Sequence, residues 1–194
     1  MRKIIFVRHS IPKLEADVPP DKWKLTDEGR ALCYPLAVQL ERQNPDIIIT
    51  SEESKAKETG EIVAGILGLP CQTAKDLHEQ VREPGKIISK KEFIKRIEAL
   101  FSNPSEEVLG LETAWEALDR FSEAVNEVME THAGLIPVIV THGTVMSLYY
   151  GKISGNEPFE FWKRLGIPAL YTVTWPGRIL ESTIMKIEPP EKEL

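Results

Sequence analysis

Residues 4–7, Ile-Ile-Phe-Val, form an apolar run that passes directly into Arg8 and His9. An uninterrupted run of β-branched and aromatic residues is typical of a strand buried on both faces, as in a parallel sheet covered by helices. Open α/β sheets bind their ligands at the carboxyl ends of such strands. The run therefore predicts an α/β fold with Arg8 and His9 at the functional edge of the sheet. Taken alone, an Arg-His pair more often just ends a strand, so the rest of the chain has to decide.

Two later segments repeat this arrangement. Residues 46–50 read as a short buried strand followed by a polar turn and a helix, and residues 135–140 lead in the same way to His142. Because parallel strands end at one edge of a sheet, we expect His9 and His142 to meet there. The alternation of strands and helices predicts a three-layer α/β/α sandwich around a mostly parallel central sheet. A hairpin within residues 170–187 is predicted near the end of the chain.

Polar capping residues mark where the predicted helices begin. Thr26 precedes one helix, and Ser51 precedes a second helix over about 53–67. Ser89 and Thr113 each stand three residues before a glutamate, which is the capping-box pattern. The helix after Thr113 carries an apolar stripe that indicates core packing.

No internal repeat or linker divides the chain, and a length of 194 residues suits one domain. The regular pattern loosens over residues 75–112, where polar loops predominate. We therefore expect a single domain over residues 1–194, with residues 75–112 as a cap or insertion over the site. This segment and the proline-rich loop at 11–24 would determine specificity, because binding residues concentrate on loops.

The balance of charges limits the partners. Lys and Arg total 24 against 30 Asp and Glu, and the net charge of −6 repels nucleic acid and anionic membranes. The apolar run at 135–140 is too short to span a bilayer, and residues 4–7 are too short for a secretory signal. Cys33 and Cys71 form no CxxC motif and are interpreted as reduced thiols. We expect a cytoplasmic protein that binds a small ligand and has no nucleic acid or membrane partner. The sequence leaves the oligomeric state open, with a homo-oligomer as one option.

Four residues at the predicted sheet edge suggest a particular chemistry. Arg8, Lys55 and His142 would surround the imidazole of His9 with cations and hydrogen-bond donors. A phosphoryl group suits such a site, because fixed donors stabilise its dispersed negative charge while a neutral imidazole nitrogen attacks phosphorus. A Mg²⁺ site would want clustered carboxylates, and we expect none at these strand ends. The residues therefore predict phosphoryl chemistry without a metal or another cofactor.

Separate segments of the chain resemble the histidine phosphatase superfamily, which has the phosphoglycerate mutase-like fold. The segments are Arg8-His9, Ser51-x-x-x-Lys55-Ala56-x-x-Thr59, Leu77-x-Glu79, the helix start from Glu112 to Arg120, and His142-Gly143. They occur in the family's order and spacing from residue 3 to about residue 143, nearly three quarters of the chain. Each short motif is common by chance, but their agreement makes the resemblance specific.

The resemblance implies a role for each matched residue. His9 would become the phosphohistidine, and His142 would donate to the phosphoryl oxygens. Glu79 would be the general acid that protonates the leaving alkoxide and then, as a carboxylate, activates water. Glu83 is the rival for that role. The residues expected to bind the phosphate are Arg8, Ser10, Lys55 and Gly143.

Two positions depart from the family pattern. Ser10 stands where a glycine usually follows the first histidine, and its hydroxyl could still donate to phosphate. Lys55 stands where the family has a second phosphate-binding arginine. Because an ammonium cannot make the planar bidentate contact of a guanidinium, we expect weaker or altered phosphate binding rather than its loss. Lys57 is a candidate to compensate.

The resemblance implies a metal-independent phosphomonoester hydrolase that acts on a small phosphorylated substrate through a phosphohistidine intermediate. One alternative is a phosphoryl transferase of the phosphoglycerate mutase type, which would return the phosphoryl group to a second hydroxyl. The chain is short for such an enzyme. The other alternative is a phosphate-ligand binding protein with reduced turnover, which is suggested by Lys55. The resemblance does not identify the phosphoester.

Overall fold

A six-stranded sheet forms the centre of the computed structural model, which describes residues 2–82 and 88–189. The strands are β1 (Arg2–Arg8), β2 (Ile47–Thr50), β3 (Cys71–Thr73), β4 (Pro137–Thr141), β5 (Ala169–Trp175) and β6 (Leu180–Ile184). Their order across the sheet is β3-β2-β4-β1-β5-β6. The first four strands pair in parallel, whereas β5 runs antiparallel to both of its neighbours. The predicted mostly parallel sheet and the predicted hairpin are both confirmed.

Helices cover both faces of the sheet. They are α1 (Asp27–Glu41), α2 (Ser54–Leu67), α3 (Lys90–Ser102), α4 (Ala114–Thr131), α5 (Gly143–Ser154) and α6 (Pro158–Arg164), with a 3-10 turn at Pro20–Lys22. Residues of α1 and α2 pack on one face, and residues of the other four helices pack on the opposite face. The predicted three-layer α/β/α sandwich is therefore confirmed.

Strand β1 lies inside the sheet, between β4 and β5. All four residues of its apolar run are fully buried. Alternate side chains of a strand point to opposite faces. Ile4 and Phe6 accordingly belong to the core cluster under α4 and α5, whereas Ile5 and Val7 belong to the cluster under α1 and α2. A charged residue at any of these four positions would be buried in the apolar core between the sheet and a helix layer. The run therefore fits only a central strand.

Most of the predicted helix starts are confirmed. The hydroxyls of Thr26, Ser89 and Thr113 each accept the backbone N–H three residues later, at the starts of α1, α3 and α4. The prediction that Ser51 caps α2 was wrong, because that helix begins at Ser54. Two residues of turn separate β2 from the N-cap position of α2, and they leave the Ser51 hydroxyl at the sheet edge.

The carboxyl ends of β2, β4 and β1 lie side by side. The backbone N–H of His9 donates to the Thr141 carbonyl at 2.9 Å, and the N–H of Ser51 donates to the Val140 carbonyl at 2.9 Å. These bonds extend the parallel ladders by one residue past the strand ends. The first polar residues after the three strands are thereby fixed relative to one another by main-chain bonds.

The predicted cap includes residues 83–87, which lie outside the described part of the chain. The cap, like the single domain, stays a prediction. Within residues 2–82 and 88–189, no helix combines the length and the hydrophobicity that a membrane span requires.

Candidate active site

His9 is the first residue after β1, and only 6% of its surface is exposed. Its Nδ1 lies 2.7 Å from the carbonyl oxygen of Ser10. Because a carbonyl oxygen only accepts, Nδ1 carries the proton and Nε2 of the neutral ring carries a free lone pair. Burial, followed by the charges of His142, Lys55 and Arg8, holds the pKa of His9 well below its usual value. The side chain is therefore a neutral imidazole with Nε2 as its nucleophilic atom.

Arg8 ends β1 with its guanidinium against the start of α5. Its Nη1 donates to the Leu165 carbonyl at 2.5 Å, and its Nε is buried without a partner among the described residues. A Cβ atom at Gly143 would lie 2.8 Å from the guanidinium carbon, so glycine is what lets the cation fit there. Burial lowers the pKa of Arg8 to about 10, which leaves it charged at neutral pH. The Arg8 guanidinium is therefore a fixed cation whose Nε–H can donate to a ligand.

His142 follows β4 and is completely buried. Its ring centroid lies 5.2 Å from that of His9. Its Nε2 is 2.8 Å from the Ser51 hydroxyl, and its Nδ1 has no partner among the residues described. Burial, together with the charge of Lys55, holds the pKa of His142 well below its usual value. The two predicted histidines thus meet as neutral rings, and Ser51 orients one of them.

Lys55 and Glu53 form a buried ion pair beside the histidines, with 6% and 9% of their surfaces exposed. The Lys55 ammonium also donates to the Pro20 carbonyl at 2.9 Å. The second carboxylate oxygen of Glu53 accepts the N–H of Glu79 at 2.8 Å and lies 3.5 Å from Nε2 of His142. The sequence interpretation missed Glu53. The only signal was an acidic residue at the start of a helix that faces the functional edge.

The Glu79 carboxylate is held by the N-terminus of α5. It accepts the first-turn N–H groups of that helix at 3.0 and 3.3 Å and the N–H of Gln80 at 2.9 Å. Arg82 lies 3.7 Å away. Burial raises the pKa of Glu79, but Arg82, His142 and the backbone donors outweigh it and bring the pKa below its usual value. Glu79 is therefore ionised at neutral pH.

The loop that carries Glu79 is clamped by one side chain of α4. Arg120 donates to both carboxylate oxygens of Glu112, at 2.8 and 2.9 Å. It also donates to the carbonyl oxygens of Asp76, His78 and Glu79 at 2.7, 3.2 and 3.3 Å. The Glu112 carboxylate accepts a further backbone N–H from the same loop at 2.8 Å. Glu112 and Arg120, which both match the family pattern, therefore position the loop that carries Glu79.

Ser10 is used differently from the sequence interpretation. Its hydroxyl donates to the Gly29 carbonyl at 2.7 Å, and its N–H donates to the Thr59 hydroxyl at 2.9 Å. It therefore ties the chain after β1 to α1 and α2, and its predicted contact with phosphate stays a prediction. Glu83, the rival acid, lies outside the described residues.

The structure brings together five of the predicted site residues. They are Arg8, His9, Lys55, Glu79 and His142, with Gly143 under the guanidinium. In the described part of the chain, no three His, Cys, Asp or Glu side chains converge as metal ligands would. The arrangement offers a nucleophilic imidazole nitrogen, two cations, and a carboxylate that can exchange a proton.

Known proteins resemble the chain in sequence. A family model described as histidine phosphatase superfamily (branch 1) matches residues 4–177. The protein named uncharacterized phosphatase PhoE, from Bacillus subtilis (strain 168), is 29% identical over 113 residues. That alignment covers 58% of this chain and 55% of the relative, little more than half of its length.

Solved structures resemble the chain over nearly its whole length. A phosphoserine phosphatase mutant from Entamoeba histolytica, in complex with phosphoserine, has a TM-score of 0.76 at 18% identity and covers 95% of this chain and 97% of its own. YhfR of Bacillus stearothermophilus gives 0.74 at 21%, covering 95% and 96%. A mycobacterial glucosyl-3-phosphoglycerate phosphatase gives 0.74 at 14%, covering 94% and 97%. At these identities the similarity establishes the fold alone.

Proposed function

The chain belongs to the histidine phosphatase superfamily, and from this premise we propose that it is a phosphomonoester hydrolase that works without a metal through a phosphohistidine on His9. The observation that carries the proposal is the tautomer of His9, whose Nδ1 is held by the Ser10 carbonyl while Nε2 keeps its lone pair. Arg8 and Lys55 supply the positive charge that phosphoryl transfer needs at such a nucleophile.

The first half-reaction phosphorylates the enzyme. Nε2 of His9 attacks phosphorus as the bond between phosphorus and the ester oxygen breaks. Glu79, protonated at this stage, gives its proton to the leaving alkoxide, which is too basic to depart readily as an anion. Arg8 and Lys55 stabilise the charge spread over the phosphoryl oxygens in the transition state.

The second half-reaction releases phosphate. Glu79, now a carboxylate, takes a proton from water as the water oxygen attacks phosphorus. The bond between phosphorus and Nε2 breaks, and the imidazole returns to its neutral form. The low pKa of His9 supports this cycle, because the nucleophile needs no prior deprotonation.

The decisive experiment is a panel of phosphomonoesters assayed in EDTA, with phosphoserine and glucosyl-3-phosphoglycerate among them. We expect steady release of phosphate that falls at least about a thousandfold in His9→Ala. His132→Ala is the matched control, because this histidine follows the last residue of α4 and, among the described residues, its ring bonds only to the Val128 carbonyl. Full activity in His9→Ala would contradict the mechanism, and transfer of the phosphoryl group to an added alcohol would indicate a mutase.

A phosphate-binding protein with reduced turnover is the second candidate, and the Glu53–Lys55 ion pair favours it. Glu53 already neutralises the charge of Lys55. This pairing weakens the attraction of Lys55 for a phosphoryl group. Phosphate binding without turnover of any ester in the panel would support this candidate over the hydrolase.

A further inference from the structure

Glu53 places a carboxylate among the groups proposed to bind the phosphoryl group. Its two oxygens contact the Lys55 ammonium, the N–H of Glu79 and the edge of the His142 ring. All three are groups that would otherwise attract an anion. A buried carboxylate in this position restricts which anion the site accepts.

The charges around the site come close to cancelling. The cations are Arg8, Lys55 and Arg82, the anions are Glu53 and Glu79, and both histidines are neutral. The excess is a single positive charge. A phosphomonoester carries one negative charge below its second pKa of about 6 and two above it. Only the singly charged form matches the excess.

We propose that the site binds the phosphoester as its monoanion and that Glu53 is the residue that imposes this choice. The inference rests on the proposed function, because it concerns the charge state of that substrate. Repulsion between Glu53 and a second negative charge on the phosphoryl group disfavours the dianion. Within a dry site such a repulsion is large enough to change affinity by a factor of ten or more.

The monoanion also supplies the proton that the reaction needs. Glu79 is ionised at neutral pH, yet the first half-reaction requires it as an acid. The protonated phosphoryl oxygen passes its proton through the Glu79 carboxylate to the leaving alkoxide as the bond between phosphorus and the ester oxygen breaks. The bound ester therefore does not accumulate as a dianion beside Glu53. No proton has to enter from solvent between binding and bond cleavage.

The charged and titratable groups around Glu53 come from five parts of the fold. Its carboxylate contacts Lys55 on α2, His142 after β4 and the backbone of Glu79 in the loop after β3. The Lys22–Asp21 pair lies on the 3-10 turn, and His9 lies beside His142 and Lys55, with Arg8 before it at the end of β1. Among these groups, Lys55 alone forms an ion pair with the Glu53 carboxylate within 4 Å in the described residues, apart from the neutral His142. Removing the Glu53 charge therefore changes the net charge of the site without removing a phosphate ligand.

Binding of inorganic phosphate, measured by titration calorimetry at about pH 5.5 and about pH 8.5, tests the inference without requiring turnover. We expect the wild type to bind at least about tenfold more weakly at the higher pH. Glu53→Gln should change less than about threefold between the two pH values. Glu52→Gln is the matched control, because Glu52 is exposed beside it and should behave as the wild type.

A second variant guards against misfolding of the first. Lys55→Gln removes a positive charge, so phosphate binding should depend on pH more steeply than in the wild type. Equal pH dependence in the wild type and Glu53→Gln, or no phosphate binding by any variant, would overturn the inference. If phosphate binding depends on pH in the wild type but not in Glu53→Gln, and no ester is hydrolysed, the proposed function fails and the charge preference stands. If esters are hydrolysed but Glu53→Gln binds as the wild type does, only the inference fails.

Discussion

Two halves of the site are held in place by different forces. The strand-end half consists of Arg8, His9 and His142, which leave β1 and β4 in backbone register, with Arg8 opposite Thr141. The ion-paired half consists of Glu53, Lys55 and Glu79, which lie on a helix start and a loop. Main-chain bonds between buried strands position the first half, whereas side-chain bonds position the second. Backbone geometry tolerates most substitutions nearby, but a side-chain network can be lost through a single residue.

Among substitutions that keep the His9 nucleophile, the largest effect should come from crowding the strand-end half. Gly143→Ala places a Cβ 2.8 Å from the guanidinium carbon of Arg8 and must displace that cation. We expect kcat/KM to fall about a hundredfold, as for loss of one fixed donor to the transition state. Gly65→Ala is the control, because its Cβ would meet nothing within 4 Å on α2. Unchanged activity in Gly143→Ala would show that the position of Arg8 is not critical.

Releasing the loop of the ion-paired half should have a smaller effect that depends on the substrate. Arg120→Met removes the donors that hold the carbonyls around Glu79. We expect kcat for alkyl phosphates to fall about thirtyfold, because a misplaced general acid cannot protonate a basic leaving group. An aryl phosphate with an acidic leaving group should lose only about threefold. Arg96→Met, which breaks an exposed pair on α3, is the control; equal losses on both esters would mean that Arg120 acts through folding alone.

The buried histidines make the strand-end half sensitive to acid. The pKa values of His9 and His142 are lowered in the folded state, so below the unfolded value of about 6.5 the unfolded chain binds more protons. The free energy of unfolding should therefore fall as pH drops below about 6.5, by up to about 1.4 kcal/mol per pH unit for each histidine. Urea unfolding measured across this pH range should show the slope. His9→Asn should reduce the slope by the contribution of one histidine, up to about 1.4 kcal/mol per pH unit. An unchanged slope in that variant would contradict the assignment.

The smallest effect should come from exchanging the cation of the ion-paired half. Lys55→Arg keeps the charge and adds a planar fork that can bond to Glu53 and to phosphate together. We expect KM to fall about threefold with little change in kcat. Lys95→Arg, at an exposed lysine on α3, is the matched control. A rise in KM in Lys55→Arg would mean that the buried space around Lys55 does not admit a guanidinium.

Local sequence pattern determined most of the strand-end half. An apolar run with two buried faces can only be a central strand, and two such runs that end in histidine bring the rings together whatever the loops do. The caps at Thr26, Ser89 and Thr113 were readable for the same reason, because each bond joins residues three apart. The contacts of Glu112 and Arg120 with the loop that carries Glu79 were only partly predictable. Both residues matched the family in sequence, but the pattern did not show what they contact.

Only the tertiary structure placed Glu53 in the ion-paired half. Glu52 and Glu53 are adjacent carboxylates, and the turn between β2 and α2 exposes one and buries the other. Ser51 was predicted as a helix cap and instead bonds to His142, while the Ser10 hydroxyl turns towards α1. These contacts join residues far apart in the chain, so local sequence pattern does not specify them. The sequence by itself therefore determined that two histidines and an arginine share one edge, and the packed structure decided that a carboxylate lies among them.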